Sequence, residues 1–484
     1  MSISMDPKWK SLLWKAFIVI SAIVAIIPMV FCAIGNPLFP DPSYFLSIME
    51  RVAEGKTLYK EVWCGYTPLW FYMMLGWKLL FHIPVGCVEA YYPLHFLMQM
   101  FSAFCLYKIV RAWNINGKIA YFCSWLFIMM SHWMDGAHLI LEPSTVMFGL
   151  LAMWLVLSNK ESLWYMFGAG VAVACSFLCK QYGLGFFVLL LLPVIYKNKR
   201  WLVRVLVYVS GFMLPLLVCL AIWQKNIVIC TLLNGYGTSI NEVNGIGFAE
   251  KMGWIMSQAM TLFKRCAYAL IATLFFIPLF FREKRWPELV FCWCGIGGFL
   301  LINYLASPGL RYLLFALPFV LLLFAIALSL CNKANVYLKW FFMLLLVATT
   351  VYSLHADYRN KVMRIYMHPE YKQSQKDLSE EVKKRVGEKD LLWIPDSGLT
   401  YVYYFTNRLP PNLSTISYAF GQGMTKERAK RQVEAADYVL SFDHDDLEYY
   451  FDKEMKDFVY SHVAVYSDKT KEVTLHDMSR KAME

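Results

Sequence analysis

Charged residues are scarce in this chain of 484 residues. Asp, Glu, Lys and Arg account for 17% of them, whereas 58% are hydrophobic. Soluble domains typically carry about 25% charged residues, so this composition excludes an ordinary soluble protein and predicts a polytopic membrane protein. Four apolar segments approach or exceed the ~20 residues that a span needs, namely 12–34, 202–223, 310–330 and 336–354.

Cysteine is absent from the polar C-terminal part of the sequence. All thirteen cysteines lie between Cys32 and Cys331, mostly in apolar segments, with neither a disulfide framework nor zinc-ligand spacing. The sequence also lacks the internal repeats that many transporters show. The net charge of +11 does not indicate nucleic-acid binding, because Lys and Arg cluster in short connections between apolar segments.

Twelve apolar segments follow one another along the first 354 residues. They are 12–34, 67–82, 91–110, 119–134, 143–158, 162–179, 183–196, 201–223, 265–281, 288–306, 310–331 and 336–354. Alternate connections are basic, notably 108–118, 197–204 and 282–285, whereas 135–142 and 307–309 lack Lys and Arg. By the positive-inside rule, the basic connections and the N-terminus are predicted to be cytoplasmic.

The number of spans follows from this orientation. An even number must separate the N-terminus from the connection 111–118, yet three apolar segments lie between them. The weakest is 67–82, which is short and bracketed by Pro68 and Pro84. We therefore expect it to be a juxtamembrane or re-entrant helix in a long first outer loop, residues 35–90, and we predict about eleven transmembrane helices within residues 1–355.

The C-terminal residues 356–484 are polar and charged, and the count of spans places them outside the cytoplasm. Strands are predicted at 391–395, 438–442, 459–466 and 472–476, and helices at 371–386, 424–435 and 445–455. This alternation predicts a small extracytoplasmic α/β domain.

The first outer loop contains a predicted amphipathic helix. Asp41 is expected to cap its N-terminus, with Pro42 at the first helical position and Gly55 after its end. One face is apolar (Tyr44, Phe45, Ile48, Met49 and Val52) and another is polar (Ser43, Ser47, Glu50 and Glu54). We expect this helix to lie on the outer membrane surface. Asp41 then serves either as a cap alone or as a functional carboxylate.

Three further charged residues are predicted at the same surface. Glu142 opens a span in the second outer loop, where capping is the simpler explanation. Lys180 ends an apolar helix on the side where basic residues are disfavoured, which suggests an anionic ligand, although a lysine can also extend its amine towards the membrane surface. Arg311 stands at the outer mouth of a later span. Two carboxylates and two cations thus converge on one surface.

At these residues the sequence resembles glycosyltransferase family 39 and its bacterial relatives. The stretch PDPSYFLSIMERVAEGKTLYKEVWCGYTPL is similar to the first-loop signature of that family, with an Asp before an aromatic-bearing helix, then Gly-x-x-x-Tyr, an acidic-Val-Trp step and Pro-Leu. LEPSTVMFGLLAMWL resembles its second-loop Glu segment, FLCKQYGLGFF its Lys-containing turn and RYLLFALPFVLLL its late span. Relatives often carry a basic residue just before Pro-Leu, where this chain has Tyr66-Thr67-Pro68.

The resemblance implies a fold and a set of roles. The fold is that of the C-type membrane glycosyltransferases, shared with protein O-mannosyltransferases and lipid A aminoarabinose transferases. Asp41 is implied to be the general base, and Lys180 and Arg311 to bind the donor phosphate. Glu142, with Tyr44 and Tyr66, is implied to orient the acceptor or the active site. No cofactor is required, although a divalent cation is compatible with this interpretation.

The predicted activity is transfer of a sugar, with inversion, from a polyprenyl-phosphate donor to a hydroxyl of a glycan, lipid or protein acceptor. The predicted location is the bacterial plasma (inner) membrane, with the active site facing the periplasm. A transporter or flippase of lipid-linked sugars is the alternative, and a receptor-like or scaffold protein is a third hypothesis. The near absence of charge within the spans and the collection of polar residues at one surface favour the enzyme.

Overall fold

A computed structural model describes residues 7–35, 37–158, 162–196, 199–231, 246–301, 309–331, 370–395, 397–410, 426–442, 453–467 and 473–481, together with residues 340, 344 and 348. Within these ranges the first eleven predicted apolar segments are helical. The twelfth, 336–354, lies almost entirely outside the described residues, as does the end of segment 288–306.

Helices form most of the described part of the first 331 residues. In chain order they are α1 (Pro7–Gly35), α2 (Pro40–Ala53), α3 (Leu69–Phe81), α4 (Tyr92–Ala112), α5 (Gly117–Ser131), α6 (Glu142–Ser158), α7 (Leu163–Cys179), α8 (Leu184–Ile195), α9 (Trp201–Trp223), α10 (Lys225–Val228), α11 (Phe248–Arg282), α12 (Trp286–Leu300) and α13 (Leu313–Cys331). α11 starts well before the predicted segment 265–281, and the kink at Cys266 (φ −118°, ψ 22°) falls where that segment begins.

Several of these helices suit a bilayer by length and composition. Within the described ranges, five apolar helical stretches reach 18 residues or more and five others are shorter; the long ones are Ser11–Gly35, Val88–Ala112, Trp201–Trp223, Phe248–Arg282 and Leu310–Cys331. The protein is a multi-pass membrane protein. The number of spans, about eleven, stays a prediction. α3 has 13 residues, or about 20 Å along its axis, and its assignment as a juxtamembrane helix also stays a prediction.

The helical core is the apolar cluster formed by α4 to α9 and α11 to α13. Its centre is α13, which is buried on every side from Leu313 to Ala327 and contacts α5, α6, α11 and α12. A helix that is apolar all round suits such a central position. α7 and α9 approach closely because Gly170 faces the Tyr208 carbonyl, where a Cβ atom would lie 2.1 Å from its oxygen.

The C-terminal part folds around a four-stranded sheet. Its elements are α14 (Glu370–Arg385), β1 (Leu392–Trp393), α15 (Tyr401–Thr406), α16 (Lys426–Glu434), β2 (Tyr438–Phe442), α17 (Lys453–Tyr460), β3 (His462–Ser467) and β4 (Val473–Lys481). The strand order is β1-β2-β4-β3, with β1 and β2 parallel and the other pairs antiparallel. The predicted small α/β unit is confirmed, although α15 was not predicted.

Several boundaries in this part differ from the prediction: β1 has only two residues of the predicted 391–395, and β4 continues to Lys481 rather than ending at 476. The strand expected at 459–466 begins only at His462, because α17 continues to Tyr460. The helix expected at 445–455 falls mainly on residues outside the described ranges, and its described part begins at Lys453. Helical periodicity and strand alternation overlap at such junctions, so the sequence alone places them poorly.

The outer core is a second apolar cluster in which the first outer loop and the C-terminal part pack together. It joins residues of α2, α3 and α4 with Val382, Leu392, Val402 and Leu440. Polar contacts reinforce it: the Leu38 N–H donates to Gln375 Oε1 at 2.8 Å, and Lys372 Nζ lies 2.8 Å from Glu89 Oε1. The first outer loop and the C-terminal part therefore lie on the same side of the helical core.

The position of α2 at the membrane surface stays a prediction, but the polar face of this amphipathic helix is buried rather than exposed. Pro42 to Arg51 are all buried, including Ser43, Ser47 and Glu50 of the predicted polar face. The Ser43 hydroxyl is 2.6 Å from that of Thr400, and Arg51 Nη2 donates to the Arg408 carbonyl at 2.7 Å. The polar face of α2 is thus matched to polar groups of the C-terminal part rather than to solvent.

Candidate active site

Asp41 lies in the first turn of α2. The helix begins at Pro40, and the residue before it, Phe39, makes no side-chain capping bond. The predicted role of Asp41 as N-cap is therefore wrong. With Pro40 and Pro42 in the first turn, two of the backbone N–H groups that a cap would satisfy do not exist. The Asp41 carboxylate instead pairs with the Arg311 guanidinium.

Glu142 is the first residue of α6, as the sequence predicted. It follows a wide helical turn, His132–Gly136, in which Asp135 adopts a left-handed conformation (φ 61°). His95 and Gln99 of α4 both hydrogen-bond the Gly136 carbonyl, with His95 Nε2 at 2.6 Å. Wide turns of this kind are frequent at functional sites. In this protein the turn ends α5, and the chain then returns to the helical bundle at α6 with the Glu142 side chain buried in the bundle.

Lys180 lies in the turn between α7 and α8. Its backbone is extended (φ −156°, ψ 140°), which reverses the chain after α7. The turn is tight because Gly183 packs on α7, where an added Cβ atom would lie 2.4 Å from the Ser176 carbonyl carbon. The side chain of Lys180 is only 5% exposed, so it does not extend to the membrane surface.

Arg311 lies in a single helical turn, Leu310–Tyr312, that precedes α13. This turn contacts the His132–Gly136 segment, so the second outer loop and the mouth of α13 are neighbours. The Arg311 side chain is 31% exposed and is the most accessible of the four charged groups.

The four predicted charged residues form one continuous chain of ion pairs. Asp41 pairs with Arg311, whose Nε lies 3.6 Å from Glu142 Oε1. The same Glu142 oxygen is 2.5 Å from Lys180 Nζ. The side chains of Asp41 and Arg311 are 14% and 31% exposed, whereas those of Glu142 and Lys180 are 1% and 5% exposed. Negative and positive groups therefore alternate from the surface inwards, and the arrangement brings together residues that are 270 positions apart in the sequence.

Tyrosine rings surround the inner cation. Lys180 Nζ lies 5.1 Å from the centre of the Tyr312 ring, 5.5 Å from Tyr182 and 5.7 Å from Tyr66. The predicted site residue Tyr66 is thus placed against Lys180, and the Tyr44 ring lies 6.2 Å from Tyr66. Ring faces attract cations without neutralising them, so these three contacts leave the charge of the Lys180 amine unchanged.

The loop that carries Tyr66 is attached to the Lys180 turn. Gln181 Nε2 donates to the Gly65 carbonyl at 2.9 Å, and Thr67 Oγ1 donates to the Phe177 carbonyl at 3.0 Å. Tyr182 and the Gln181 contact were not predicted as parts of the site. The one feature of the sequence that could have indicated Gln181 and Tyr182 is that they directly follow Lys180 in the KQYG turn.

The protonation of Lys180 follows from its surroundings. Burial is the largest single influence and lowers the pKa of Lys180, but the charge and hydrogen bond of Glu142 together with Tyr312 outweigh it, so the net shift of the Lys180 pKa is upward. Lys180 is therefore protonated at neutral pH. Its ion pair with Glu142 is retained below the ordinary lysine pKa and is lost only as the pH rises through the raised value.

Among the residues that the structure describes, no three His, Cys, Asp or Glu side chains are grouped so that they could hold a metal ion. The charges that the described site offers to an anion are those of Lys180 and Arg311.

Comparison with known proteins identifies the fold. No protein-family model and no curated protein sequence matches the chain. ArnT from Cupriavidus metallidurans in the apo state superposes with a TM-score of 0.60 at 12% identity, covering 98% of this chain and all of ArnT. ArnT bound to undecaprenyl phosphate gives 0.55 at 12% identity, with 95% and 98% covered.

A second solved protein has a similar fold. The archaeal oligosaccharyltransferase AglB from Archaeoglobus fulgidus, in complex with an inhibitory peptide and a dolichol-phosphate, gives a TM-score of 0.57 at 10% identity, covering 96% of this chain and 74% of AglB. ArnT and AglB are both C-type glycosyltransferases by fold. The chain therefore has the C-type membrane glycosyltransferase fold, and the predicted fold class is confirmed.

Proposed function

We propose that this protein transfers a sugar from a polyprenyl-phosphate donor to an acceptor hydroxyl on the outer face of the membrane. The observation that carries the proposal is the chain of ion pairs Asp41–Arg311–Glu142–Lys180 at one end of an apolar helical bundle. The undecaprenyl phosphate bound to ArnT and the dolichol-phosphate bound to AglB support a lipid phosphate as the carrier.

The ion pairs define a resting state in which Asp41 takes the position that a donor phosphate can take at Arg311. In this state the Asp41 carboxylate is paired with the guanidinium of Arg311. Arg311 is the more exposed of the two cations. A phosphate that enters between Arg311 and Lys180 competes with Asp41 for Arg311 and releases its carboxylate. Glu142 is almost completely buried between the two cations, so it holds them in place in both states.

The reaction then proceeds by one displacement. The acceptor oxygen forms a bond to the anomeric carbon while the bond from that carbon to the phosphate oxygen breaks, and its electron pair stays on the phosphate. The proton of the acceptor hydroxyl passes to Asp41. General base catalysis of this kind contributes roughly 10²–10⁴-fold. Lys180 and Arg311 stabilise the additional negative charge on the leaving phosphate, and a single displacement inverts the anomeric carbon.

A transfer assay tests the proposal against transport. The purified protein in detergent receives a radiolabelled polyprenyl-phosphate sugar and an extract of glycan, lipid and protein acceptors. We expect label to leave the lipid without any membrane gradient, and to do so in the presence of EDTA because the proposed mechanism requires no divalent cation. Label that stays on the lipid in detergent but crosses the bilayer of sealed vesicles would support the flippase instead.

The predicted orientation is tested separately by single-cysteine labelling on a cysteine-depleted background. Cysteines at Val85 and Tyr371, which are 41% and 60% exposed, should react with an impermeant maleimide from the outside of intact cells. A cysteine at Lys118, in a connection predicted to be cytoplasmic, should react only after lysis. Labelling of Val85 and Tyr371 from the cytoplasm would overturn the outward orientation of the site and of the C-terminal part.

A further inference from the structure

A cavity lies at the end of the helical bundle opposite to the candidate active site. α6 starts at Glu142 in the site and reaches this cavity at Leu157, about 22 Å further along its axis. The cavity has a volume of about 320 Å³, at the lower end of the roughly 300–1,000 Å³ of ligand pockets. Its walls are largely apolar and include Trp113, Leu192, Pro193, Val290 and Phe291.

The mouth of the cavity has the features of a membrane interface. The rings of Tyr196 and Trp286 meet edge to face at 6.4 Å and are 40% and 43% exposed. Aromatic residues of this kind concentrate where a bilayer meets water. Lys284 also lines the cavity and is exposed in the connection between α11 and α12. This connection is one of the basic ones that the positive-inside rule assigns to the cytoplasm.

The charges at the mouth leave Lys284 available to an anion. Among the described lining residues Glu288 is the only acidic one, and it pairs with Arg285 at 3.1 Å, so its charge is already balanced. Arg285 also donates to the Trp113 carbonyl at 3.0 Å, which fixes the wall between α4 and α12. Within the described part of the chain, Lys284 has no carboxylate within ion-pair distance.

We propose that this cavity binds one anionic phospholipid, with an acyl chain between the apolar walls and the phosphate at Lys284. Apolar walls disfavour a polar soluble ligand, while a hydrocarbon chain gains from their contact. A basic residue at the mouth of a pocket between membrane helices matches an anionic headgroup. The site is distinct from the proposed donor site because the two lie at opposite ends of α6. Such a lipid connects α4, α6, α8 and α12 and stabilises their packing.

Native mass spectrometry of the protein released from nanodiscs of equal phosphatidylglycerol and phosphatidylcholine tests the proposal. We expect the wild type to retain phosphatidylglycerol in preference to phosphatidylcholine. Lys284→Ala should lower the retained phosphatidylglycerol about fivefold, the factor expected for one basic residue near the bilayer surface. Lys118→Ala, which removes an exposed lysine from another basic connection, should leave retention unchanged. Equal retention of both lipids, or no response to Lys284→Ala, would overturn the proposal.

A second variant tests the acyl chain rather than the headgroup. Val290→Trp changes a 48% exposed residue of the cavity wall and keeps Lys284. It should abolish retention of the lipid while gel filtration still shows a folded protein. Full retention in Val290→Trp would show that lipid binds outside the cavity. A wild-type dimer that carries no lipid would show that a second copy of the chain covers this face, and would equally refute the proposal.

Discussion

The helical core and the outer core differ in what holds them together. The helical core consists of apolar side chains from neighbouring helices around α13, and close glycine contacts such as that of Gly170 bring helices together. The outer core combines apolar residues with buried ions and hydrogen bonds between segments more than 300 residues apart. The candidate active site lies where the two meet, since Asp41 comes from the outer core and Lys180 and Arg311 come from turns of the bundle. The geometry of the candidate active site therefore depends on the docking of one core against the other.

The largest expected effect concerns the buried ion pair of the outer core. Lys78 Nζ lies 3.0 Å from Glu50 Oε2, and the two side chains are 13% and 3% exposed. Lys78→Ala leaves the Glu50 charge buried without a partner, so we expect the free energy of unfolding to fall by about 3–5 kcal/mol. Chemical denaturation of the purified protein in detergent measures this loss.

An exposed pair in the same core is the control. Lys376 lies 3.3 Å from Glu89, and their side chains are 39% and 36% exposed. Lys376→Ala should cost at most about 1 kcal/mol because solvent screens such pairs. Equal losses in the two variants would mean that burial does not distinguish the ion pairs of the outer core.

The second effect concerns catalysis at the boundary between the cores. Asp41 does not cap α2, so Asp41→Asn should leave the helix and the protein yield intact. It removes the proposed base, and turnover should fall by about 10²-fold or more. Glu61→Gln, a change of an exposed carboxylate in the same loop, is the matched control and should keep wild-type turnover. A well-folded Asp41→Asn protein with normal turnover would end the proposed role of Asp41.

The third effect concerns the cations that the bundle contributes. Lys180→Gln and Arg311→Gln should each raise the Michaelis constant for the lipid donor about ten- to a hundredfold, since a hydrogen bond to a charged group is worth roughly 1.5–3 kcal/mol. Initial rates measured over a range of donor concentrations check this. Unchanged donor kinetics in both variants would remove the phosphate-binding assignment.

The smallest effect tests how the C-terminal part positions Asp41. Thr400→Val removes the hydroxyl that lies 2.6 Å from Ser43, two residues after Asp41. We expect a loss of about 1 kcal/mol in stability and a several-fold lower kcat with little change in the donor Michaelis constant. Thr400→Ser should restore kcat because it keeps the hydroxyl. A stability loss without any change in kcat would limit Thr400 to a structural role.

The two cores were not equally predictable from the sequence. The helices of the helical core could be predicted because each one is encoded by a continuous apolar segment of about 20 residues. The four charged residues of the site could be predicted as candidates because each lies next to an apolar segment, at a predicted helix end. The family resemblance then assigned all four to one active site. The burial of α2 could not be predicted, because its polar face is matched by Thr400 and Arg408, whose contacts with it span 357 positions.

The contacts between the first outer loop and the C-terminal part also set an order of assembly. During synthesis the apolar helices enter the membrane one after another, and Asp41 has left the ribosome long before Gln375, Thr400 and Arg408 exist. The polar face of α2 is without these partners until the chain is nearly complete. A nascent chain stopped after α13 would thus contain Glu142, Lys180 and Arg311 in the helical bundle but lack the contacts that dock α2 and bring Asp41 to them. The proposed sugar transfer would then begin only once the last quarter of the protein has been made.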